Sequence, residues 1–402
     1  MSDKSILVIG AGGIGCELIK VLYLNKITRF TLVDYDIIEL TNLNRQFLFS
    51  DIDIKKHKSS VASTKYKKIS ENIEIRALIQ NINEFDYSFF RQFDVVFNCL
   101  DNNEARKYVN KRCLLTNTLL IDGGSTGFLG QSLYFDYQNE CFDCIPEKIK
   151  EDIPVCTIRS YPTEFKHCLV WAKEVFLEKL KENLEIEEIL KQSFQETQNS
   201  EFFKNKEIGE KIKIIKENIS TFNKKEIIFD KDNICCMNLV YYSALIRAKY
   251  FNIEPNSFFE SQSIIGNIIP SICTTNAIVA SFMYLSYIKK RNFYIFNKKK
   301  FLMTEPAEKN PLCSFCSKRI FILKRKQEFH FKELFNVLSK HLKQIESVYD
   351  NNNIYFNKYL SKDLSKEVKI ENNSFFYVKG EEIIVIYNLI MDKETSLEII
   401  SE

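Results

Sequence analysis

Three groups of residues in this chain have the types and spacings that chemistry needs. The first is Gly10-Ala11-Gly12-Gly13-Ile14-Gly15, which matches G-x-G-x-x-G, follows a short apolar run and opens a helix-like stretch. Glycines there allow a tight turn and the close approach of a polyphosphate, and a helix N-terminus offers oriented N–H donors. Asp34 ends the second apolar run, 19 residues after Gly15, where a carboxylate could accept ribose hydroxyls. The second group is two Cys-x-x-Cys pairs, Cys141/Cys144 and Cys313/Cys316. Each is a half-site suited to tetrahedral zinc, but 169 residues separate them, far outside zinc-finger spacing, so the spacing leaves open whether they meet. The third is Cys156 in IPVCTIRSYP, which in isolation reads equally as a buried thiol, a metal ligand or a nucleophile.

The glycine loop and Asp34 fit a dehydrogenase as well as an ATP enzyme. After Asp34, however, runs DYDIIELTNLNRQFLF, which sets Asn42, Asn44, Arg45 and Gln46 beside the nucleotide edge, with Lys58 a little further on. Hydride transfer has little use for such a polar and cationic cluster. Cleavage of ATP at the α-phosphate does, because charge builds on the leaving pyrophosphate and preorganised donors match it. Asp101, ending VVFNCLD, falls at the carboxyl edge of the sheet, the place for a magnesium-binding acid.

These residues need elements to hold them. Ser5–Ile9, Arg29–Val33, Ile73–Leu78, Val95–Asn98 and Leu119–Asp122 read as short buried strands, mostly separated by helix-like stretches such as Ile14–Leu24 and Asn103–Asn117. That alternation predicts an open, mostly parallel, Rossmann-like α/β sheet. Eight of the 11 glycines fall in this first third, where backbone-constrained chemistry belongs. From about Glu164 to Lys225 the composition turns to Glu, Lys, Ile and Leu, which predicts a helical insertion. Within it Glu174–Phe194 reads as one amphipathic helix, and EFFKNKEIGEKIKIIKEN as another helix or a mobile surface segment. Ser261–Ile288 carries no charge and is long enough to span a bilayer. Asn267, Pro270, Thr274, Thr275 and Asn276 inside it favour a loop and then a buried helix, as if the chain re-enters its first domain. Lys318–Glu402 reads as a small α+β domain, with a hairpin formed by Phe375–Val378 and Ile383–Tyr387.

The totals exclude some classes. A formal charge of +3 over 402 residues gives no electrostatic argument for nucleic acid, and no membrane partner is expected. Met1-Ser2-Asp3-Lys4 leaves no room for a signal peptide before the first strand. The 12 cysteines are therefore expected in a reducing compartment, where they bind metal, react or pack. Cys16, Cys99, Cys113, Cys168, Cys235, Cys236 and Cys273 read as packing residues.

The stretches ILVIGAGGIGCEL, DYDIIELTNLNRQFLF, NCLDNNEARKYVN, CFDC, PVCTIRSYP, HCLVWAKEVF and GNIIPSICTTNAIVA occur in this order. Together they resemble the catalytic subunits of heterodimeric ubiquitin-like-protein activating enzymes, with a ThiF/MoeB-like adenylation fold, and most of all the SUMO-activating type. The likeness covers nearly all of residues 5–317 apart from the helical insertion. It implies an adenylation domain in two parts, residues 1–155 and 256–317, around a catalytic-cysteine domain over 156–255, with a ubiquitin-fold (β-grasp) domain over 318–402. By motif, Gly10, Ala11, Gly12, Gly13, Ile14 and Gly15 would cradle ATP and Asp34 would hold its ribose. Asn42, Asn44, Arg45 and Lys58 would bind the phosphates, and Asp101 would ligate magnesium. Cys156, in the pattern P-x-C-T, would be the thioester-forming nucleophile, with Thr157 and Arg159 as its supports. Cys141, Cys144, Cys313 and Cys316 would share one structural zinc. Val155 departs from the small residue usual before the cysteine, and is read as tolerated.

The resemblance also implies partners: a homologous non-catalytic subunit, SUMO, and the SUMO-conjugating enzyme, in the nucleus and cytoplasm. HCLVWAK, FDKDN and IIGNIIPSICTTNA resemble the SUMO type, whereas IDGGSTGF is closer to the Rub/NEDD type, the alternative modifier. Other readings account for less. A bacterial-type sulfur-carrier adenylyltransferase leaves the insertion and terminal domain unexplained. A non-catalytic subunit would be expected to lose Cys156, Asp101 or the zinc cysteines. A dehydrogenase would bind NAD and be indifferent to Cys156, and a protease would need a histidine such as His167 held near it.

Overall fold

Ile6–Ile9 (β1) is a run of four apolar residues, all buried, as a strand covered on both faces requires. In the computed structural model it lies within an eight-stranded sheet formed with Arg29–Val33 (β2), Glu74–Leu78 (β3), Val95–Asn98 (β4), Leu119–Thr126 (β5), Leu129–Phe135 (β6), Asn292–Phe296 (β7) and Lys300–Thr304 (β8). The structure describes residues 4–146, 161–182, 185–193, 200–222, 227–230, 233–266, 271–296, 300–325, 331–342, 344–350, 353–358, 372–380, 383–390 and 396–401. The strand order is β3-β2-β1-β4-β5-β6-β7-β8. Strands β1 to β3 are laid down in one direction across the sheet and β4 and β5 in the other, so the crevice for a ligand opens at the carboxyl ends of β1 and β4, where that order reverses. Helices Gly13–Leu24 (α1), Lys58–Ile69 (α2), Tyr87–Phe90 (α3) and Asn103–Thr116 (α4) make the crossovers.

Pairing is parallel from β3 through β5 and antiparallel from β5 to β8. The expectation of a mostly parallel sheet thus holds for one half. In the other half β5–β6 and β7–β8 escaped the alternation argument because hairpin neighbours need no helix between them, and β6 meets β7 only after the chain returns.

The chain forms two compact units, Met1–Glu147 with Ser271–Glu402, and Lys148–Pro270. The second is helical, and the single helix expected over Glu174–Phe194 is interrupted in it. A helix Phe165–Trp171 passes through a π turn at Ala172–Phe176 into Leu177–Lys181, and a separate helix follows at Ile186–Ser193. The wider turn keeps Trp171, Phe176 and Leu180 in the core. EFFKNKEIGEKIKIIKEN forms two helices, Ser200–Lys204 and Lys206–Ile219. The longer one buries Ile208, Ile212, Ile215 and Ile219 at helical spacing, so it is core and not a mobile segment. The uncharged stretch begins as helix, not loop: Phe258–Ile265, capped by Ser257 and Glu260, precedes Cys273–Lys289. Asn267 and Pro270 lie outside the described residues. No described helix is long and apolar enough to cross a membrane.

The last part of the chain forms a second sheet from Ile320–Arg325 (β9), Ser347–Tyr349 (β10), Ile354–Asn357 (β11), Ser374–Lys379 (β12), Ile383–Ile390 (β13) and Ser396–Ser401 (β14), in the order β11-β10-β12-β13-β9-β14. The expected hairpin is β12–β13, and β13 runs parallel to β9. Strand periodicity splits β9 between two cores. Phe321 and Leu323 pack with Leu334 and Leu338 of the helix Phe331–Leu338. Ile320 and Ile322 pack with Tyr387, Phe142, Cys313 and Phe315. A mixed sheet grasping one helix is the β-grasp arrangement, and its other face is seated on the first sheet's unit.

Arg112, near the end of α4, fills that seam. It is fully buried, with its guanidinium 4.2 Å from the Tyr108 ring centre, 4.7 Å from Tyr387 and 5.0 Å from Phe375. Its Nη2 donates to the Asn373 carbonyl at 2.5 Å, while Nε and Nη1 have no hydrogen-bond partner among the described residues. A buried cation so incompletely matched adds little net stability. Arg112→Met, which keeps the volume and removes the charge, is expected to leave unfolding free energy equal or raise it by about 1–2 kcal/mol. Chemical denaturation would check this.

Candidate functional site

β1 delivers the chain to Gly10, whose φ of +91° disfavours any side chain. α1 begins at Gly13, so the N–H groups of its first turn face the loop unpaired by helix bonds. Asp34, at the end of β2, accepts from the Ala11 N–H at 2.6 Å and from the Asp36 N–H at 2.8 Å. These bonds fix the carboxylate beside the loop. Burial raises its pKa, and the nearby Lys58 charge only partly opposes this.

The polar cluster after β2 lies at the same edge. Asn42 is buried and accepts from the Glu39 N–H at 3.0 Å, closing the short turn Leu40–Asn42. Arg45 donates to the Thr41 carbonyl at 2.7 Å and to Asn44 Oδ1 at 3.2 Å. Gln46 is buried, and its Oε1 has no hydrogen-bond partner among the described residues. Lys58 is buried at the start of α2 and donates to Asp36 at 2.7 Å. Asp101 is exposed just before Asn102, which caps α4 by accepting from the Ala105 N–H at 2.8 Å. The sheet thus sets an acid on each side of a glycine turn, with cations nearby. That arrangement could hold a polyphosphate with its sugar at Asp34 and a divalent ion at Asp101.

The two cysteine pairs meet. Cys141 Sγ lies 3.9 Å from Cys144 Sγ and 3.9 Å from Cys313 Sγ, and Cys144 Sγ lies 3.3 Å from Cys316 Sγ. All four sulfurs are within 4.8 Å of one another. Four thiolates at about 2.3 Å from a tetrahedral ion would stand about 3.8 Å apart, so the donor set and its spacing fit one metal ion. Asn110 of α4 steadies this corner: its Nδ2 donates to Asp143 at 2.6 Å and its Oδ1 accepts from the Phe142 N–H at 3.2 Å. Cys156, with Val155, Thr157 and Arg159, lies outside the described residues.

The sequence reading missed a buried group beside these sites. Asp122 of β5 is fully buried, accepts from both Nε and Nη2 of Arg106 of α4, and accepts from Asn98 Nδ2 at 2.7 Å. Its signal in the sequence was a lone acid inside the apolar run LLID with an arginine available one crossover earlier.

A model of the ThiF family matches residues 1–315. The chain belongs to the ThiF family. Among individual relatives, SUMO-activating enzyme subunit 2 of Dictyostelium discoideum is 30% identical, over 92% of this chain and 72% of its own length. SUMO-activating enzyme subunit uba-2 of Caenorhabditis elegans is 31% identical over 71% of this chain and 66% of its own length. The NEDD8-activating enzyme E1 catalytic subunit of Dictyostelium discoideum is 30% identical over 70% and 58% respectively. The chain therefore spans between 58% and 72% of the length of these relatives. The motif resemblance and the comparisons agree on ubiquitin-like-protein activating enzymes.

In this ThiF-family chain, a ribose hydroxyl at Asp34 would be accepted most strongly by the ionised carboxylate. With the pKa raised above its ordinary 3.8, nucleotide affinity is expected to fall on acidification at a higher pH than an unperturbed aspartate would give. Titration of a fluorescent ATP analogue from about pH 7 to about pH 4 checks this. Asp34→Asn should bind more weakly and lack that acid limb.

Proposed function

We propose that this chain is the catalytic subunit of a heterodimeric SUMO-activating enzyme. The observation that carries the reading is the chain order itself: a glycine loop flanked by Asp34 and Asp101, then Cys141/Cys144, Cys156 in PVCT, and Cys313/Cys316. Gly10 to Gly15 would cradle ATP, with Asn42, Asn44, Arg45 and Lys58 as donors to its phosphates. Magnesium held by Asp101 would neutralise phosphate charge. The SUMO C-terminal carboxylate attacks the α-phosphorus, the bond to the β-phosphate breaks, and pyrophosphate departs with the electron pair. The Cys156 thiolate then attacks the acyl carbon and AMP leaves, so the acyl group stays activated as a thioester. Exchange with a cysteine of the conjugating enzyme is close to isoenergetic.

Zinc suits the four-cysteine cluster, because tetrathiolate sites with every position filled by protein are structural. A homologous subunit would complete the adenylating enzyme, and a nuclear and cytoplasmic location would follow from the substrate. A Rub/NEDD-type modifier is the second reading, favoured by IDGGSTGF and by NEDD8-activating relatives at nearly the same identity.

The chain, mixed with its partner subunit, ATP, magnesium and SUMO, is expected to give an ATP-dependent, thiol-sensitive adduct on non-reducing gels that Cys156→Ala abolishes. An adduct formed only with the Rub/NEDD modifier would transfer the assignment to that substrate. Pyrophosphate exchange without any adduct would remove the thioester step. Cys144→Ser is expected to lose bound zinc in metal analysis and to lower the melting temperature, while leaving the sequence motifs of the ATP edge intact.

A further inference from the structure

The glycine loop contains one glycine that the phosphate motif does not require. In G-x-G-x-x-G, Gly13 occupies a free position. Its reason lies on the far side of α1: a Cβ there would stand 2.2 Å from Asn276 Nδ2 and 3.6 Å from Ser271 Oγ. Asn276, in the first turn of the helix Cys273–Lys289, is fully buried. Its Oδ1 accepts from Ser125 Oγ at 2.8 Å and its Nδ2 donates to Ser271 Oγ at 2.9 Å. Ser125 is near the end of β5, and Ser271 forms a parallel bridge with Gly127 in the β5–β6 turn. One amide therefore joins the start of α1, the β5–β6 turn and the chain entering the helix Cys273–Lys289.

The helix is seated closely enough for this. Asn276, Val279 and Met283 share one face at helical spacing and lie against glycines. A Cβ on Gly130 would fall 2.5 Å from Val279, and one on Gly123 would fall 2.3 Å from Met283. Side chains at these positions would lift the helix and withdraw Asn276 from the loop.

Topology indicates what this junction faces. Asp34 follows β2 and Asp101 follows β4, on opposite sides of the β1 loop. A nucleotide with its ribose at Asp34 directs its phosphates toward β4. The side left for a second reactant is then that of β5, β6 and Ser271. On the adenylation reading, on which this inference rests, that reactant is a peptide carboxylate that must meet the α-phosphorus in line with the leaving oxygen. We propose that Asn276 is a positioning residue for adenylation, holding the β5–β6 turn and Ser271 in fixed register with the phosphate loop. The carboxylate oxygen bonds to phosphorus, the bond from the α-phosphorus to the bridging oxygen breaks, and pyrophosphate leaves with the electron pair. Asn276 touches none of these atoms and acts through the two segments it ties.

The test uses the complex with the partner subunit, ATP, magnesium and modifier, read by ATP–pyrophosphate exchange. Asn276→Ala is expected to lower kcat about 100-fold, the scale of a misplacement near 1 Å, with KM for ATP within about threefold of the parent. Ser125→Ala, which removes one hydrogen bond, should lower kcat by up to about tenfold. The double variant should be no worse than Asn276→Ala, because both act through one junction. A residue serving stability alone would instead lower the melting temperature with kcat per folded complex unchanged, move KM for ATP together with kcat, or give additive losses, and any of these would overturn the proposal. Should Asn276→Ala fail to fold, Ser125→Ala and Ser271→Ala decide by the same split between kcat and KM. Unchanged kcat in these variants, beside an active parent, overturns this inference alone. Absence of modifier-dependent exchange in the parent complex overturns the adenylation reading and this inference with it.

Discussion

The pairing of Arg106 with Asp122 is the interaction on which the arrangement of the nucleotide edge depends. Asp122 has no exposed surface and Arg106 has 9%, so neither charge can turn to water. Burial alone would push the Arg106 pKa down, but the Asp122 and Asp101 carboxylates reverse the shift and raise it. Removing either partner would strand a buried charge, at about 3–5 kcal/mol. The pair is also geometric. It pins α4 to β5, and Asn98 brings in β4 through the same carboxylate. With α4 fixed over those strands, Asp101 has one place to stand, at the positive end of the helix and across the loop from Asp34.

From that anchor α4 carries three further constraints within a few turns. Asn110 holds the Cys141–Cys144 turn through Phe142 and Asp143, so the four-cysteine corner takes its orientation from the helix that presents Asp101. Arg112 then receives the terminal sheet through Tyr387, Phe375 and the Asn373 carbonyl. A helix of 14 residues thus fixes the acid edge, the four-cysteine cluster and the β-grasp sheet relative to one another. A helix is stiff along its axis, so motion of the terminal sheet at the Arg112 end bears on Asn110 and Asp101 unless that contact breaks first.

The parts legible in the sequence are those whose physics is local. β1 to β5 are short apolar runs, and Gly10, Asp34 and Asp101 fall at their carboxyl ends by position alone. The β12–β13 hairpin declares itself as two short apolar runs joined through the polar Lys379–Glu382. What the sequence hid is set by distant contacts. A single acid in LLID does not reveal that Arg106 will meet it, and Cys144 and Cys313, 169 positions apart, are joined by the motif resemblance and not by their spacing, though their sulfurs lie within 4.8 Å of one another. Gly13 looks like part of a phosphate loop, while the close approach of Asn276 is what excludes a side chain there. The break after Lys181 and the π turn before it are likewise tertiary outcomes, because the apolar periodicity of EVFLEKLKENLEIEEILKQSF fits one unbroken helix.

The distribution of these hidden contacts follows from the insertion. Lys148–Pro270 forms a unit of its own, so the first sheet's unit is assembled from two chain segments. Joining ends across a flexible loop of comparable length would cost about 4 kcal/mol in closure entropy, and bonds between the segments must offset such a term. They line the seam. Asn276 bonds Ser125, the Ser132 and Ser286 hydroxyls pair at 2.8 Å, Asn292 accepts from the Tyr134 N–H at 2.8 Å, and Cys313 and Cys316 close on Cys141 and Cys144. The last two strands of the sheet, β7 and β8, exist only because the chain returns. Residues that would be called catalytic support in a continuous domain are here also what holds the domain together. Substitution along this seam therefore has to be read by its effect on kcat and on folding separately.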